Sequence, residues 1–480
     1  MSTEALPSEV VFDLPSSLVP HRTYEYRANP SNANSFTTEG ATIQFTLPRL
    51  DRSFYQANTI YVRGRLALTL VGTASDDISS PNLSFTSAGA YSLFSRQVVR
   101  TGSGQAIETV QNPAIVTNIQ MAYGLTPAER IGMNNLVKNT PFHAYSEWCL
   151  SGAYTSAGWG LGCTGTNATS GITVPAGHNA TIDFAIPLNS ILTNCDKFLP
   201  ASYDEFVIEL TIANMISAAG VQNPTFIIHK DVAGITGFTL SDLEISAQVF
   251  ELSPQTYGQL MAQYPQGISL KSQSYMYGSG SLASSSGAGT YDIVYSHKLQ
   301  SIKQFMMAVA PTNAIEGPLY AGVNPNLNTY NLSINGTTYP QRPIRCVNPS
   351  EVYAQNQKSW GALMSDLKCG SVAPEHHAIA STAYNTLYDA YLSFGAQANR
   401  ELKDLAIKSN RCFFCLDLES INGSKNQVFN GVSTSGSGTS SVIRLEVGAA
   451  LAANVHNVHY FSVYDCLIKF DPQLGVSVVN

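Results

Sequence analysis

The chain has 480 residues, a net charge of −7, 44% hydrophobic residues and only 12% charged ones. Its length exceeds what one hydrophobic core usually supports, which predicts two domains. The charged fraction is about half the roughly 25% of ordinary soluble domains, so Ser, Thr, Asn and Gln must cover most of the surface, as in a secreted or structural β protein or in a subunit hidden within an assembly.

No Lys/Arg run occurs, and the first twenty residues carry neither residue. This argues against a chain that packages nucleic acid with its own arm. No window of 18 uninterrupted apolar residues is present, so no membrane-spanning helix is expected. The N-terminus has Glu4 and Glu9 and no basic region before an apolar core; it is not read as a signal peptide, and the protein is expected to stay in the compartment where it is made.

Taken in order, residues 1–35 read as an extended, irregular N-terminal arm. Ile43, Phe45 and Leu47 then alternate with polar residues before Pro48, and Ile60, Val62, Leu66, Leu68 and Leu70 mark a second strand. Residues 92–110 hold two β runs around Thr101-Gly-Ser-Gly104, a hairpin signal. Arg96 and Arg100 in the first run are expected on a solvated or intersubunit face. The pattern turns helical over 112–137, with a start signal at Thr126-Pro-Ala-Glu129. A Gly/Ser/Thr-rich loop over 151–177 follows, and then two further strands around Pro200.

The segment 241–277 is the hinge of the chain. Leu243, Ile245, Ala247, Val249 and Leu252 describe a strand with one slip near Phe250; Ser253-Pro254 stops it. A short helical piece (Tyr257, Leu260, Met261) and a turn over 264–267 lead to a new alternating run at Ile268 and Leu270. The second half repeats the plan: strands, a linker-like stretch over 278–289, a hairpin at Asn335-Gly336, a mostly helical stretch over 350–408, and three closing strands. About eight strands in the first half is the count of a jelly roll.

Chemistry-bearing motifs are weak. The eight cysteines lack framework spacing and read as free buried thiols. Cys412 and Cys415 form a C-x-x-C, but in a strand-like run positions i and i+3 face opposite sides, and no second pair accompanies them. The same holds for His456 and His459, while His376-His377 point in different directions. No G-x-S-x-G, H-E-x-x-H or Walker A sequence is present. The N-x-S/T matches at Asn82, Asn167, Asn179, Asn331, Asn335 and Asn422 carry no weight without a signal peptide. No residue is therefore expected to be catalytic, to bind a cofactor or to ligate a metal.

The order of several segments resembles the double jelly-roll major capsid proteins of tailless icosahedral DNA viruses, the hexon, polinton-like and virophage-type lineage. These segments are SLFSRQVVRTGSGQAIETV, FAIPLNSILTNCDKFLPASYDEFVIELTI and LEISAQVFEL in the first half. In the second they are HKLQSIKQFMMAVAP, INGTTYPQRPIR with YAQNQKSWGAL, and FFCLDLES, NQVFNGVSTSGSG, SVIRLEVG and NVHYFSVYDCLIKFDP. The resemblance implies an all-β chain of two consecutive antiparallel eight-stranded jelly rolls with helical and loop insertions. The arm would span 1–35, the first jelly roll 36–253, the linker 254–267 and the second jelly roll 268–480.

The resemblance further implies a virion protein without enzymatic activity or cofactor, forming homotrimeric pseudo-hexagonal capsomers. Insertions at 150–180, 214–240 and 350–408 would form outward towers. Partners would be neighbouring capsomers, penton and minor capsid proteins and an internal membrane, with no sequence-specific nucleic-acid binding. The competing reading is a secreted or surface two-domain β-sandwich for carbohydrate binding or adhesion.

Overall fold

A computed structural model describes residues 21–71, 83–85, 88–126, 149–151, 171–172, 179–217, 225–228, 234–283, 287–311, 322–361, 412–420, 429–436, 441–448 and 456–480, with Val19, His377 and isolated positions between 129 and 137. The first half contributes β1 (His21–Ala28), β2 (Thr42–Leu47), β3 (Ser53–Tyr55), β4 (Tyr61–Val71), β5 (Leu83–Phe85), β6 (Phe94–Thr101) and β7 (Ala106–Gln111). It continues with helix α1 (Pro113–Tyr123), β8 (Cys149–Ser151), β9 (Gly171–Ile172), β10 (Asn179–Pro187), β11 (Leu199–Pro200), β12 (Phe206–Ile212), β13 (Phe226–Ile228) and β14 (Gly234–Leu252). Helix α2 (Pro254–Gln263) leads to the second half: β15 (Ile268–Leu282), β16 (Gly289–Tyr295), β17 (Ile302–Pro311), β18 (Leu327–Ile334), β19 (Thr337–Arg345), helix α3 (Pro349–Lys358), β20 (Phe413–Asp417), β21 (Ser441–Val447), β22 (His456–Asp471) and β23 (Gly475–Val479).

The two halves have one strand order. In the second, β15-β22-β17-β20 form one sheet and β16-β21-β18-β19 the other. Counting its eight principal strands in sequence, the orders are first-eighth-third-sixth and second-seventh-fourth-fifth. The first half repeats this with β1-β14-β4-β10 and β2-β12-β6-β7; β3, β8 and β11 extend its larger sheet, and β5, β9 and β13 form a separate small one. Each half is thus a jelly roll.

This order corrects the expected arm. Residues 21–28 are the first strand of the first jelly roll, paired antiparallel from His21↔Leu252 to Ala28↔Ile245. The strand was hard to see because it is an edge: only Tyr24, Tyr26 and Ala28 are partly covered, so the apolar signal is thin. A second correction concerns the linker-like glycines after Tyr277. The strand β15 runs on through them to Leu282, in register with β22 down to His456. A side chain at Gly278 would place its Cβ 2.2 Å from Tyr460 Cζ, so glycine there permits close packing rather than flexibility.

Elsewhere alternation fixes the sandwich as expected. In β12 every second residue (Phe206, Ile208, Leu210, Ile212) is buried, and β2 answers with Ile43, Phe45 and Leu47. Leu243, Ile245, Ala247, Val249 and Leu252 of β14 are all buried, and a register shift between Ser241 and Glu244 marks a bulge. The strand begins at Gly234, so 234–240 belongs to the sheet and not to a tower insertion. Both predicted hairpins join the fourth and fifth strands of their jelly rolls: 101–104 turns β6 into β7, and Asn335-Gly336, both at positive φ, turns β18 into β19. Helices α1 and α3 follow the fifth strand in each half. Thr126 and Glu129 exchange the bonds of a capping box, Thr126 N to Glu129 Oε2 at 2.8 Å and Glu129 N to Thr126 Oγ1 at 3.3 Å. The loop over 152–170 and nearly all of 362–408 lie outside the described residues.

Candidate functional site: the junction between the two halves

Two strands of the second half are buried without alternation. Residues 302–310 of β17 are buried, as are Tyr460–Cys466 of β22. A continuous buried run means that both faces of a sheet are covered. One face meets the partner sheet, and the other meets material that includes α1, β7 and the 188–195 loop of the first half. Three polar clusters stand at or near this junction.

The first centres on Glu108 of β7, a carboxyl only 4% exposed. Its Oε1 accepts from Ser274 Oγ of β15 at 2.6 Å and from Ile191 N at 2.9 Å, while Oε2 has no hydrogen-bond partner. Burial pushes its pKa up to about 7, against the pull of these two bonds. Beside it Tyr275 OH accepts from Gln120 Nε2 of α1 at 2.6 Å and Asn194 Nδ2 at 3.1 Å, and Asn189 donates to Gln120 Oε1 at 2.6 Å. Ser272 Oγ donates to Ile191 O at 2.5 Å. Every one of these contacts beyond the Asn189–Gln120 pair and the Ile191–Glu108 bond crosses from one half to the other.

The second cluster joins α1 to α3 and β20. Tyr123 OH accepts from Asn356 Nδ2 at 3.0 Å and lies 3.1 Å from His377 Nε2. Asn356 also donates to Phe413 O at 2.7 Å and accepts from Cys415 N at 2.7 Å. Its amide thereby takes the free backbone groups on the outer side of the edge strand β20, as a neighbouring strand would. The third is an ion-pair group: Lys303 Nζ sits 2.7 Å from Glu419 and 3.5 Å from Asp465, with the Asp465 side chain fully buried.

None of these arrangements is a nucleophile–base pair open to substrate. His377 Nδ1 lies 3.3 Å from Cys412 Sγ, but burial holds the Cys412 thiol well above its ordinary pKa and brings His377 down to about 4. Cys412 and Cys415 are both fully buried, because β20 is covered on both sides. His456 is buried and His459 is partly exposed, on opposite faces; His376 lies outside the described residues. Arg100 pairs with Glu209 at 3.0 Å and Arg96 is exposed. Cys195, Cys346, Cys412, Cys415 and Cys466 are free thiols. Among the described residues no group of three or more His, Cys, Asp or Glu side chains is placed to hold a metal. Sequence reading passed over Glu108, Lys303, Asn356 and Asp465; for Lys303 and Asp465 a signal existed, since each is a charge inside an otherwise apolar strand run.

No family model matches the chain, and no curated protein does. Solved structures do, at low identity and nearly full length. The Faustovirus major capsid protein aligns over 99% of this chain and 93% of its own, with 10% identity and a TM-score of 0.57. The mavirus major capsid protein aligns over 99% and 94%, with 12% identity and a TM-score of 0.53. The chain has the double jelly-roll fold of viral major capsid proteins. A chain of the Sputnik virophage, solved by cryo-EM, shares the fold over 100% of this chain and 93% of its own, at 12% identity and a TM-score of 0.57. Within this double jelly roll, the Glu108–Tyr275 and Tyr123–Asn356 clusters bind the two sandwiches at fixed positions through directional bonds, which a purely apolar contact would not impose.

Proposed function

We propose that the chain is a structural major capsid protein, not an enzyme, and that three copies form a pseudo-hexagonal capsomer of an icosahedral shell. The observation that carries this reading is the repeated strand order in two jelly rolls joined at a polar junction. Two equivalent sandwiches per chain and three chains per ring give six similar units from a closed threefold assembly. The sparse charge fits subunit faces that lose water on assembly, since an unpaired charge there is costly. In this reading the domains run over 36–253, extended to include β1, and 268–480, with α2 in the linker at 254–267. Its partners are neighbouring capsomers, penton and minor capsid proteins and an internal membrane, and its location is the virion.

The test is the solution mass by light scattering, with negative-stain images of the same fraction. A species of three times the 51.6 kDa chain with triangular or hexagonal outlines is expected. A chain that stays monomeric at high concentration would overturn the proposal in favour of the carbohydrate-binding or adhesion reading.

A further inference from the structure

Helix α2 has no buried residue, although Tyr257, Leu260 and Met261 recur on one side of it. Beneath it opens a cleft of about 650 Å³, lined by Tyr203, Tyr257, Met261, Tyr264, Leu474 and Arg49 among others. Leu474 is 86% exposed and Tyr264 48%. These two exposed apolar side chains share the rim of one aromatic cleft. Arg49 is exposed; among the described residues it has no ion-pair partner, and the one acidic residue of the lining is Asp204.

An apolar strip runs from the start of β1 to this cleft. His21 stacks on Phe250 with centroids 4.7 Å apart, and Phe250 meets the half-exposed Phe198 at 5.8 Å. Phe250 pairs across the sheet with Phe54, whose ring lies 6.4 Å from that of Tyr257. His21 itself is paired with Leu252, one residue before the Ser253 cap of α2. The twenty residues preceding His21 therefore enter at one end of the strip. They include Leu6, Val10, Val11, Phe12, Leu14 and Leu18, with Glu4, Glu9 and Asp13 as their only charges. About six extended residues span ~20 Å, so this length is ample to reach the cleft.

We propose that residues 5–18 of the same chain dock along the strip and into the cleft beneath α2. Phe12 fills the aromatic pocket and an acidic neighbour meets Arg49, so the segment acts as a clasp over the helix that connects the two jelly rolls. The clasp does not depend on shell formation and is tested on the full chain in whatever oligomeric state it adopts. Leu474, being exposed, is replaced by the photo-crosslinking amino acid p-benzoylphenylalanine, and products are mapped by mass spectrometry in a mixture of isotopically light and heavy chains. The expected result is crosslinking within one chain to residues 5–18, reduced roughly tenfold, the equivalent of about 1.4 kcal/mol, by Phe12→Ser. Absence of crosslinks to 5–18, crosslinks chiefly between light and heavy chains, or a yield unchanged by Phe12→Ser would each overturn it.

Discussion

Glu108 of the first jelly roll and Ser274 of the second share a buried 2.6 Å hydrogen bond. Among the described residues no basic group compensates the carboxyl; the titratable groups that act electrostatically with it are Tyr275, Tyr464 and Cys466. The junction thus holds an acid whose charged form is disfavoured by its surroundings, in contrast to Lys303, which is matched by two carboxylates.

Glu108 makes the junction less stable as pH rises. Its folded pKa of about 7 lies above the ordinary carboxyl value of 4.5, so the folded state binds more protons between these values and stability falls through that window. The cost is absent below pH 4.5 and complete above 7, at about 3 kcal/mol. Glu108→Gln should raise the denaturation midpoint at pH 8 and leave it nearly unchanged at pH 4.5, which paired urea titrations check.

Two buried histidines work in the opposite sense. Burial brings both His297 and His377 down to about 4 from 6.5. The unfolded chain therefore takes up protons first, and stability is lost as pH falls from 6.5 to 4, by about 3 kcal/mol for each. Replacing His297 with Gln should flatten the acid limb of a thermal-melt series, provided the Gln keeps the 2.6 Å contact that His297 makes with Ser462.

Removing Lys303 takes the 2.7 Å cation from Glu419 and leaves the buried Asp465 carboxylate without the cation it faces. Lys303→Met is expected to destabilise the chain by about 3–5 kcal/mol. The triple change Lys303→Met, Glu419→Gln, Asp465→Asn should recover much of that loss, because the repulsion goes with the charges. Chemical denaturation of both variants measures the difference, and an undamaged single variant would contradict the ion-pair account.

Asn356→Ala exposes no new surface but orphans the Phe413 carbonyl and the Cys415 N–H. Each of the two unsatisfied buried groups costs about 1–3 kcal/mol, so a loss of roughly 2–6 kcal/mol is expected. Amide exchange at Cys415 should accelerate more than at the β17 positions that pair with the other side of β20.

Gly278→Ala drives a methyl group into the Tyr460 ring. The expected cost is about 1–3 kcal/mol of overpacking, and Tyr460→Ala in the same chain should relieve part of it. A linker glycine would tolerate the change.

Periodicity and turn chemistry determined much of this fold from sequence alone. Phe206, Ile208, Leu210 and Ile212 face one core because a strand has a period of two. The 101–104 and 335–336 turns were legible because few residues accept the backbone they require. Edge and junction elements were not legible. The half-solvated β1 carries little apolar pattern, and Gly278 looks like linker until Tyr460 is seen against it. Glu108 and Asn356 look like ordinary polar positions within their own segments, and Lys303 shows only as a charge in an apolar run. Their partners lie 83 to 166, 57 to 233, and 116 to 162 positions away. Local sequence sets which face of a strand turns inward, but only tertiary packing decides which polar groups are cut off from water, and with whom they must then bond.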